Sequence, residues 1–304
     1  MHPNSVQRLP FALTESSILA VIPARFHSTR LPGKVLADIA GKTMIEHVYR
    51  RAAAASRVHA VIVATDDERI ANAVRSFGGA ALMTRADHLS GTDRIGEAIA
   101  DLACRAVVNV QGDEPLIEPE TIDAAIAPLL ADASVEMSTL SRPFQSLEEF
   151  KSPHVVKVVT NLQGDALYFS RAPIPASGPS APSTSAPRAT ADTPAAVASL
   201  PAEARAHVGL YVYRRDTLLK LAGAPPVALE LEESLEQLRA LAHGIRIRVV
   251  ETRHVAAGVD TPADLERVRC TFARAAVAGA SHGVSAVAGP AISRSEGGPP
   301  VRSY

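Results

Sequence analysis

Arg25, Arg30 and Lys34 crowd the stretch Pro23–Lys34, and no acid neutralises them between Pro23 and Ala37. Guanidinium groups fork onto phosphate oxygens, and an ammonium adds a point charge, so such a loop suits a polyphosphate. Gly33 lets the backbone approach a ligand closely. The spacing matches neither the P-loop nor the dinucleotide fingerprint. Downstream, Val110-Gln111-Gly112-Asp113-Glu114-Pro115 places an acid where a hard cation such as Mg²⁺ could bridge protein and phosphate. Asp260, in Gly258-Val259-Asp260-Thr261-Pro262, is a candidate second carboxylate for the same cation. The stretch Thr84–Arg94 (TRADHLSGTDR) is dense in polar side chains and could read a base edge. Each motif alone also has a plainer explanation. These are a solvated basic loop, a turn aspartate, a helix-start residue before Thr-Pro, and turn formation and capping by Asp87, Ser90 and Thr92.

The elements that must position these residues follow from the apolar pattern. Ile18–Ile22, Val58–Ala64, Ala80–Met83 and Ala106–Val110 read as buried strands. Between them, Met44–Ala55 (capped by Thr43), a helix begun by Asp66 or Asp67 and ended at Gly78-Gly79, Gly91–Cys104 and Glu120–Leu130 read as helices. This alternation predicts a largely parallel sheet with helices on both faces. Ligands in such sheets sit beyond the C-terminal strand ends, where loops 23–34 and 111–115 fall. The second half predicts a smaller β-rich lobe built onto that sheet, with strands at Val135–Leu140, His154–Thr160, Ala166–Phe169 and His207–Tyr213. A helix over Glu232–Ala242, a strand over Ile245–Val250 and a helix over Pro262–Arg274 capped by Thr261 follow.

Residues 1–16 read as a loose leader, 17–274 as one domain, and 275–304 as a disordered tail. Within the domain, 25 of the 31 residues from 176 to 206 are Ala, Pro, Ser, Thr or Gly. Such a segment offers little burial to offset its ordering entropy and reads as a mobile surface insertion.

Composition narrows the function class. The 304 residues carry 31 basic and 32 acidic side chains, which argues against a nucleic-acid binder held by bulk charge. Tryptophan is absent and aromatics are 4%, so there is little to stack bases on. Cys104 and Cys270 cannot build a disulfide framework, and a reducing, cytoplasmic setting is expected. No apolar run is long enough to cross a membrane, and no secretory signal is expected.

Taken together, Pro23–Lys34, Thr84–Arg94, Val110–Leu116 and Gly258–Leu265 resemble the 3-deoxy-manno-octulosonate (Kdo) cytidylyltransferases, or CMP-Kdo synthetases. Val155–Val159, Ala166–Pro175, His207–Tyr211 and Leu235–Arg239 extend the likeness, which covers about 17–175 and 206–272. The resemblance implies a mixed α/β nucleotidyltransferase of the nucleotide-diphospho-sugar transferase type, usually a homodimer. Its members move CMP from CTP to the anomeric hydroxyl of Kdo, release pyrophosphate, and serve lipopolysaccharide synthesis. It further implies that Ala24, Arg25, Arg30 and Lys34 hold the triphosphate, with Arg25 and Lys34 catalytic alongside Asp113 and Asp260, the Mg²⁺ ligands. Arg85, Asp87 and Ser90 match the cytosine site. Gln111 lies between nucleotide and sugar, and Arg171, His207, Tyr211, Glu236 and Gln237 match the sugar site. The Ala/Pro/Ser-rich insertion departs from the family, which has a more charged connection there. A CMP-sialic acid-type synthetase and a non-catalytic nucleotide-binding protein are the alternatives.

Overall fold

The computed structural model describes residues 9–28, 30–88, 90–176, 200–201, 203–255 and 258–282. Its first half follows the alternation. β1 (Ile18–Ala24), β4 (Ala60–Thr65), β5 (Ala80–Met83) and β6 (Ala106–Asn109) are parallel neighbours in the order β6-β1-β4-β5. β1 is apolar throughout because both its faces are covered. Ile18, Ala20, Ile22 and Ala24 enter one core cluster, and Leu19 and Val21 enter the other. The hairpin β2 (Asp38–Ile39) and β3 (Lys42–Thr43) was not expected; its tip residues Ala40 and Gly41 both have positive φ.

Helices α1 (Met44–Ala54), α2 (Glu68–Ser76), α3 (Gly91–Ile99) and α4 (Pro119–Ala131) link the first-half strands. Thr43 caps α1 as expected, and Asp67 rather than Asp66 caps α2. α3 stops at Ile99 rather than reaching Cys104. The Arg215 guanidinium takes the carbonyls of Ala100 and Leu102, and the chain turns directly into β6.

β10 (Arg205–Arg214) joins the second half to this sheet, antiparallel to β6 on one side and to β7 (Met137–Arg142) on the other. β11 (Ile247–Glu251) adds to β7 in parallel, and β8 (Lys157–Thr160) and β9 (Ala166–Ser170) branch from the lower end of β10. The β-rich half is thus continuous with the central sheet. Short helices α5 (Leu147–Lys151), α6 (Arg215–Ala222), α7 (Ala228–Glu233) and α8 (Gln237–Ala242) pack on it. The single helix expected over Glu232–Ala242 is two pieces, because Ser234 adopts φ 52° and stops α7. The final helix α9 (Pro262–His282) runs past the expected end at Arg274, so the expected tail begins as helix. Thr261 caps it: the Asp264 N–H donates to Thr261 Oγ1 at 3.2 Å, and the Thr261 N–H donates to Asp264 Oδ2 at 2.8 Å.

Two low-complexity expectations lie largely outside the described residues: the insertion at 177–199 and 202, and the tail from 283. The described end of the insertion is packed, since Leu200 and Ala204 are buried with Phe144 and Phe150. Residues 1–8 of the expected leader are also outside. From residue 9 onward it is not loose, because Leu9, Phe11 and Leu13 pack against the core.

Candidate active site

β1 is flanked by β4 on one side and β6 on the other, so the strand order switches direction there. Loops leaving β1 and β6 must diverge at that point and open a crevice. The structure has a cleft of about 810 Å³ at this position. Ala24, Arg25, Arg30, Lys34, Ser90, Gln111, Asp113, Arg171, Tyr211, Glu236, Gln237 and Asp260, all expected site residues, line it.

The cationic loop is held by its own packing. Gly33 sits at φ 70°, where a Cβ would lie 3.0 Å from the Phe26 ring. The Arg69 guanidinium covers that ring at 3.4 Å and is itself bound by Asp67. The loop after β6 approaches closely, for a Cβ on Gly112 would lie 3.2 Å from the Pro23 carbonyl oxygen. The third wall arrives from the far end of the sequence. Ile39, Met44, Val259, Leu265 and Val268 form a small apolar cluster that docks the start of α9 beside the first loop. The Val259 N–H donates to the Asp113 carbonyl at 2.9 Å.

These ties bring two carboxylates onto one cation. Lys34 Nζ donates to Asp113 Oδ2 at 2.6 Å, to Asp260 Oδ1 at 2.9 Å and to the Val259 carbonyl at 3.0 Å. Arg30 Nη2 lies 2.9 Å from Asp260 Oδ2. Burial works against the Lys34 charge, but the Asp113 and Asp260 carboxylates outweigh it and hold its pKa above the usual lysine value. Burial and the neighbouring Asp113 charge push the Glu114 carboxyl up to about 8. At neutral pH Glu114 is therefore mostly protonated and adds little negative charge beside Asp113. Arg25 is exposed at the cleft and makes no hydrogen bond or ion pair with the described residues.

The base-reading loop divides. Ser90 caps α3, accepting the Asp93 N–H at 3.1 Å, and lines the cleft. Arg85 and Asp87 do not line it. They border a separate shallow pocket, where Arg85 is paired with Glu97. The side chains of Arg85 and Asp87, expected beside the cytosine, thus lie outside this cleft, and the Arg85 N–H is held by the Glu97 carboxylate.

At the other end of the cleft, a β-bulge between Val208 and Tyr211 shifts β10 against β7 and aims Tyr211 inward. Thr139 Oγ1 supports the bulge by donating to the Leu210 carbonyl at 2.9 Å. His207, expected to touch the sugar, does not line the cleft. It lies behind Tyr211, its Nε2 2.9 Å from Thr139 Oγ1 and its ring 5.0 Å from Phe169. Burial pushes its pKa down to about 3, so it is a neutral support for the bulge. Burial, Tyr213 and Glu236 raise the Tyr211 phenol well above its ordinary value, so it stays a neutral donor. Gln237 is 5% exposed, and its Nε2 has no partner. A buried amide N–H without a partner is uncommon, and here it sits in the cleft wall.

Asn109, Thr92 and Arg239 also line the cleft and were not among the expected site residues. Asn109 accepts from Gln111 Nε2 at 3.1 Å, and Thr92 Oγ1 donates to Glu236 Oε2 at 2.6 Å. Asn109 was legible as a polar residue ending an otherwise apolar strand. Arg239, paired with buried Glu230, carries no local signal of its place at the cleft, since it depends on the fold of α7 against α8.

The arrangement has a phosphate-suited cationic loop, paired carboxylates, and an opposite wall carrying Arg171, Tyr211, Glu236, Gln237 and Arg239. Comparison with known proteins agrees with it. The cytidylyltransferase family model matches residues 19–247. The 3-deoxy-manno-octulosonate cytidylyltransferase of Geobacter sulfurreducens is 56% identical over 252 residues, covering 83% of this chain and 98% of the relative. That of Solibacter usitatus is 52% identical over 266 residues, covering 88% and 98%. A solved CMP:2-keto-3-deoxy-manno-octonic acid synthetase complexed with CTP superposes with a TM-score of 0.74 and 44% identity, covering 86% of this chain and all of that one. A 4-diphosphocytidyl-2C-methyl-D-erythritol synthase from Anaerococcus prevotii shares the fold alone, with a TM-score of 0.54 and 10% identity. On the cleft, the ordered motifs that build it and these likenesses, the chain belongs to the 3-deoxy-manno-octulosonate cytidylyltransferase family.

Proposed function

We propose that this protein transfers CMP from CTP to the anomeric hydroxyl of Kdo, releasing pyrophosphate. The observation that carries the reading is the convergence of Lys34, Asp113 and Asp260 on one point of a cleft whose far wall presents Arg171, Tyr211, Glu236 and Gln237. The sugar hydroxyl oxygen bonds to the α-phosphorus, the bond to the bridging oxygen of the β-phosphate breaks so that pyrophosphate leaves, and the hydroxyl proton passes to solvent water. No covalent enzyme intermediate is required, so positioning and electrostatics carry the rate. Arg25, Arg30 and Lys34 neutralise the triphosphate and the departing pyrophosphate. Ala24 and Ser90 border the nucleotide, and Gln111, fixed by Asn109, sits between the two substrates. Arg171 faces the sugar carboxylate, while Tyr211, Glu236 and Gln237 take hydroxyls.

Asp113 and Asp260 fit Mg²⁺, for they are hard oxygen donors already closing on one cation, and Mg²⁺ commonly takes one or two carboxylates with phosphates and water. The ion would supply charge neutralisation at the phosphates and acidify the attacking hydroxyl.

The product suits lipopolysaccharide synthesis, and the CTP requirement suits the cytoplasm. Cys104 and Cys270 are unpaired, and no described helix is long and apolar enough to cross a membrane. A homodimer is in keeping with the exposed Leu162 and Leu167 on the β8–β9 hairpin. Light scattering at micromolar concentration checks it.

The direct test is pyrophosphate release with Mg²⁺ and CTP, comparing Kdo, N-acetylneuraminate and no sugar. Release with Kdo alone supports the reading. Release with N-acetylneuraminate alone makes the protein a sialic acid-type synthetase, and CTP binding without release makes it a non-catalytic binder.

A further inference from the structure

We propose that Glu233, which does not line the cleft, is a positioning residue that aims Arg171 at the carboxylate of the acidic sugar. The proposal deepens the function above and rests on it. Arg171 directly follows β9, Glu233 ends α7, and 62 residues separate them. The Glu233 carboxylate accepts the Ser170 hydroxyl at 2.6 Å through Oε1 and the Arg171 backbone N–H at 2.8 Å through Oε2. Its carbonyl accepts Arg171 Nε–H at 2.7 Å. The next carbonyl, of Ser234, accepts from Nη2 at 3.3 Å, and that of Pro153 accepts from Nη1 at 3.1 Å.

These bonds use one N–H on each guanidinium nitrogen. Of the five donors of an arginine, one on each terminal nitrogen remains. That pair is the fork a carboxylate takes in bidentate fashion. Lys157, wholly buried, fixes the same corner by donating to the Ser152 carbonyl at 2.6 Å and the Arg171 carbonyl at 2.8 Å.

Ser234 shows that the corner is shaped for this. It is one of two non-glycine residues with positive φ among the described residues, and that conformation is costly for a residue with a Cβ. The turn ends α7 so that the Glu233 carboxylate meets β9 while its carbonyl meets the guanidinium. The chain then continues into Leu235-Glu236-Gln237, so the same staple sets the distance between Arg171 and the hydroxyl-binding wall.

The test uses full-length protein carrying Glu233→Gln, Glu233→Asp, Arg171→Ala and the Glu233→Gln/Arg171→Ala pair, assayed by pyrophosphate release. Glu233→Gln is expected to raise KM for Kdo about tenfold, as losing one well-aimed charged hydrogen bond would. KM for CTP should stay unchanged, and Glu233→Asp should recover part of the loss. The double variant should be no worse than Arg171→Ala alone, and the methyl ester of Kdo should not distinguish Glu233→Gln from the unmodified protein. Ser170→Ala, which removes one partner of the carboxylate, should give a smaller rise of the same kind and serves if Glu233→Gln is poorly folded. Additive losses in the double variant, or equal rises in both KM values, overturn the proposal. Failure of the unmodified protein to use Kdo overturns the function itself and this inference with it. Normal turnover with an unchanged KM for Kdo in Glu233→Gln overturns the inference alone.

Discussion

Lys34 Nζ lies 2.6 Å from Asp113 Oδ2 although 79 residues separate them, and the same ammonium is 2.9 Å from Asp260 Oδ1, 226 residues away. Three loops therefore meet at one charge. Their facing carboxylates would repel each other without a cation between them.

Asp113→Asn is expected to leave the fold intact and lower turnover by about 10²-fold or more, the scale seen when one preorganised electrostatic group is lost. Pyrophosphate release at saturating Mg²⁺, with circular dichroism as the control for folding, checks this. Near-parental turnover would remove Asp113 from the catalytic machinery.

The His207 imidazole is held neutral by burial, with a pKa near 3 against 6.5 for a free side chain. The unfolded chain takes up the proton first, so this residue's contribution is complete above pH 6.5 and is lost as pH falls from 6.5 towards 3. His207→Gln is expected to flatten the decline of Tm across that window. A parallel decline in both proteins would show that His207 does not contribute to it.

Glu230 and Arg239 form a buried pair, with contacts of 2.8 and 2.5 Å and side chains 8% and 6% exposed. Glu230→Ala leaves the guanidinium buried without its carboxylate and should cost about 3–5 kcal/mol. Urea denaturation measures it, and a loss below about 1 kcal/mol would mean that water or Asp93, 3.6 Å from Arg239, replaces Glu230.

Leu200 closes the far end of the Ala/Pro/Ser-rich stretch by packing among Phe144, Phe150 and Ala204. Leu200→Ala should lower stability by about 2 kcal/mol. Thermal melts check it, and an unchanged Tm would place Leu200 with the low-complexity residues before it.

The sequence alone determined the parallel half of the sheet, because strands buried on both faces must be largely apolar, and β1 is throughout while β6 is up to Asn109. It also picked out the cationic loop and the two aspartates that meet beside it, and the Thr43 and Thr261 caps, since local chemistry decides these. It could not decide which polar side chains face the cleft. Arg85 and His207 carry the right chemistry, yet Glu97 holds the loop of one outward and a bulge supported by Thr139 puts the other behind Tyr211. The break at Ser234 was equally hidden, because it goes with contacts from Glu233 to a strand end 62 residues earlier in the chain. Residue type and spacing fix what a side chain can do. Where it points depends on contacts between distant segments, and those form only when both faces of the sheet are packed.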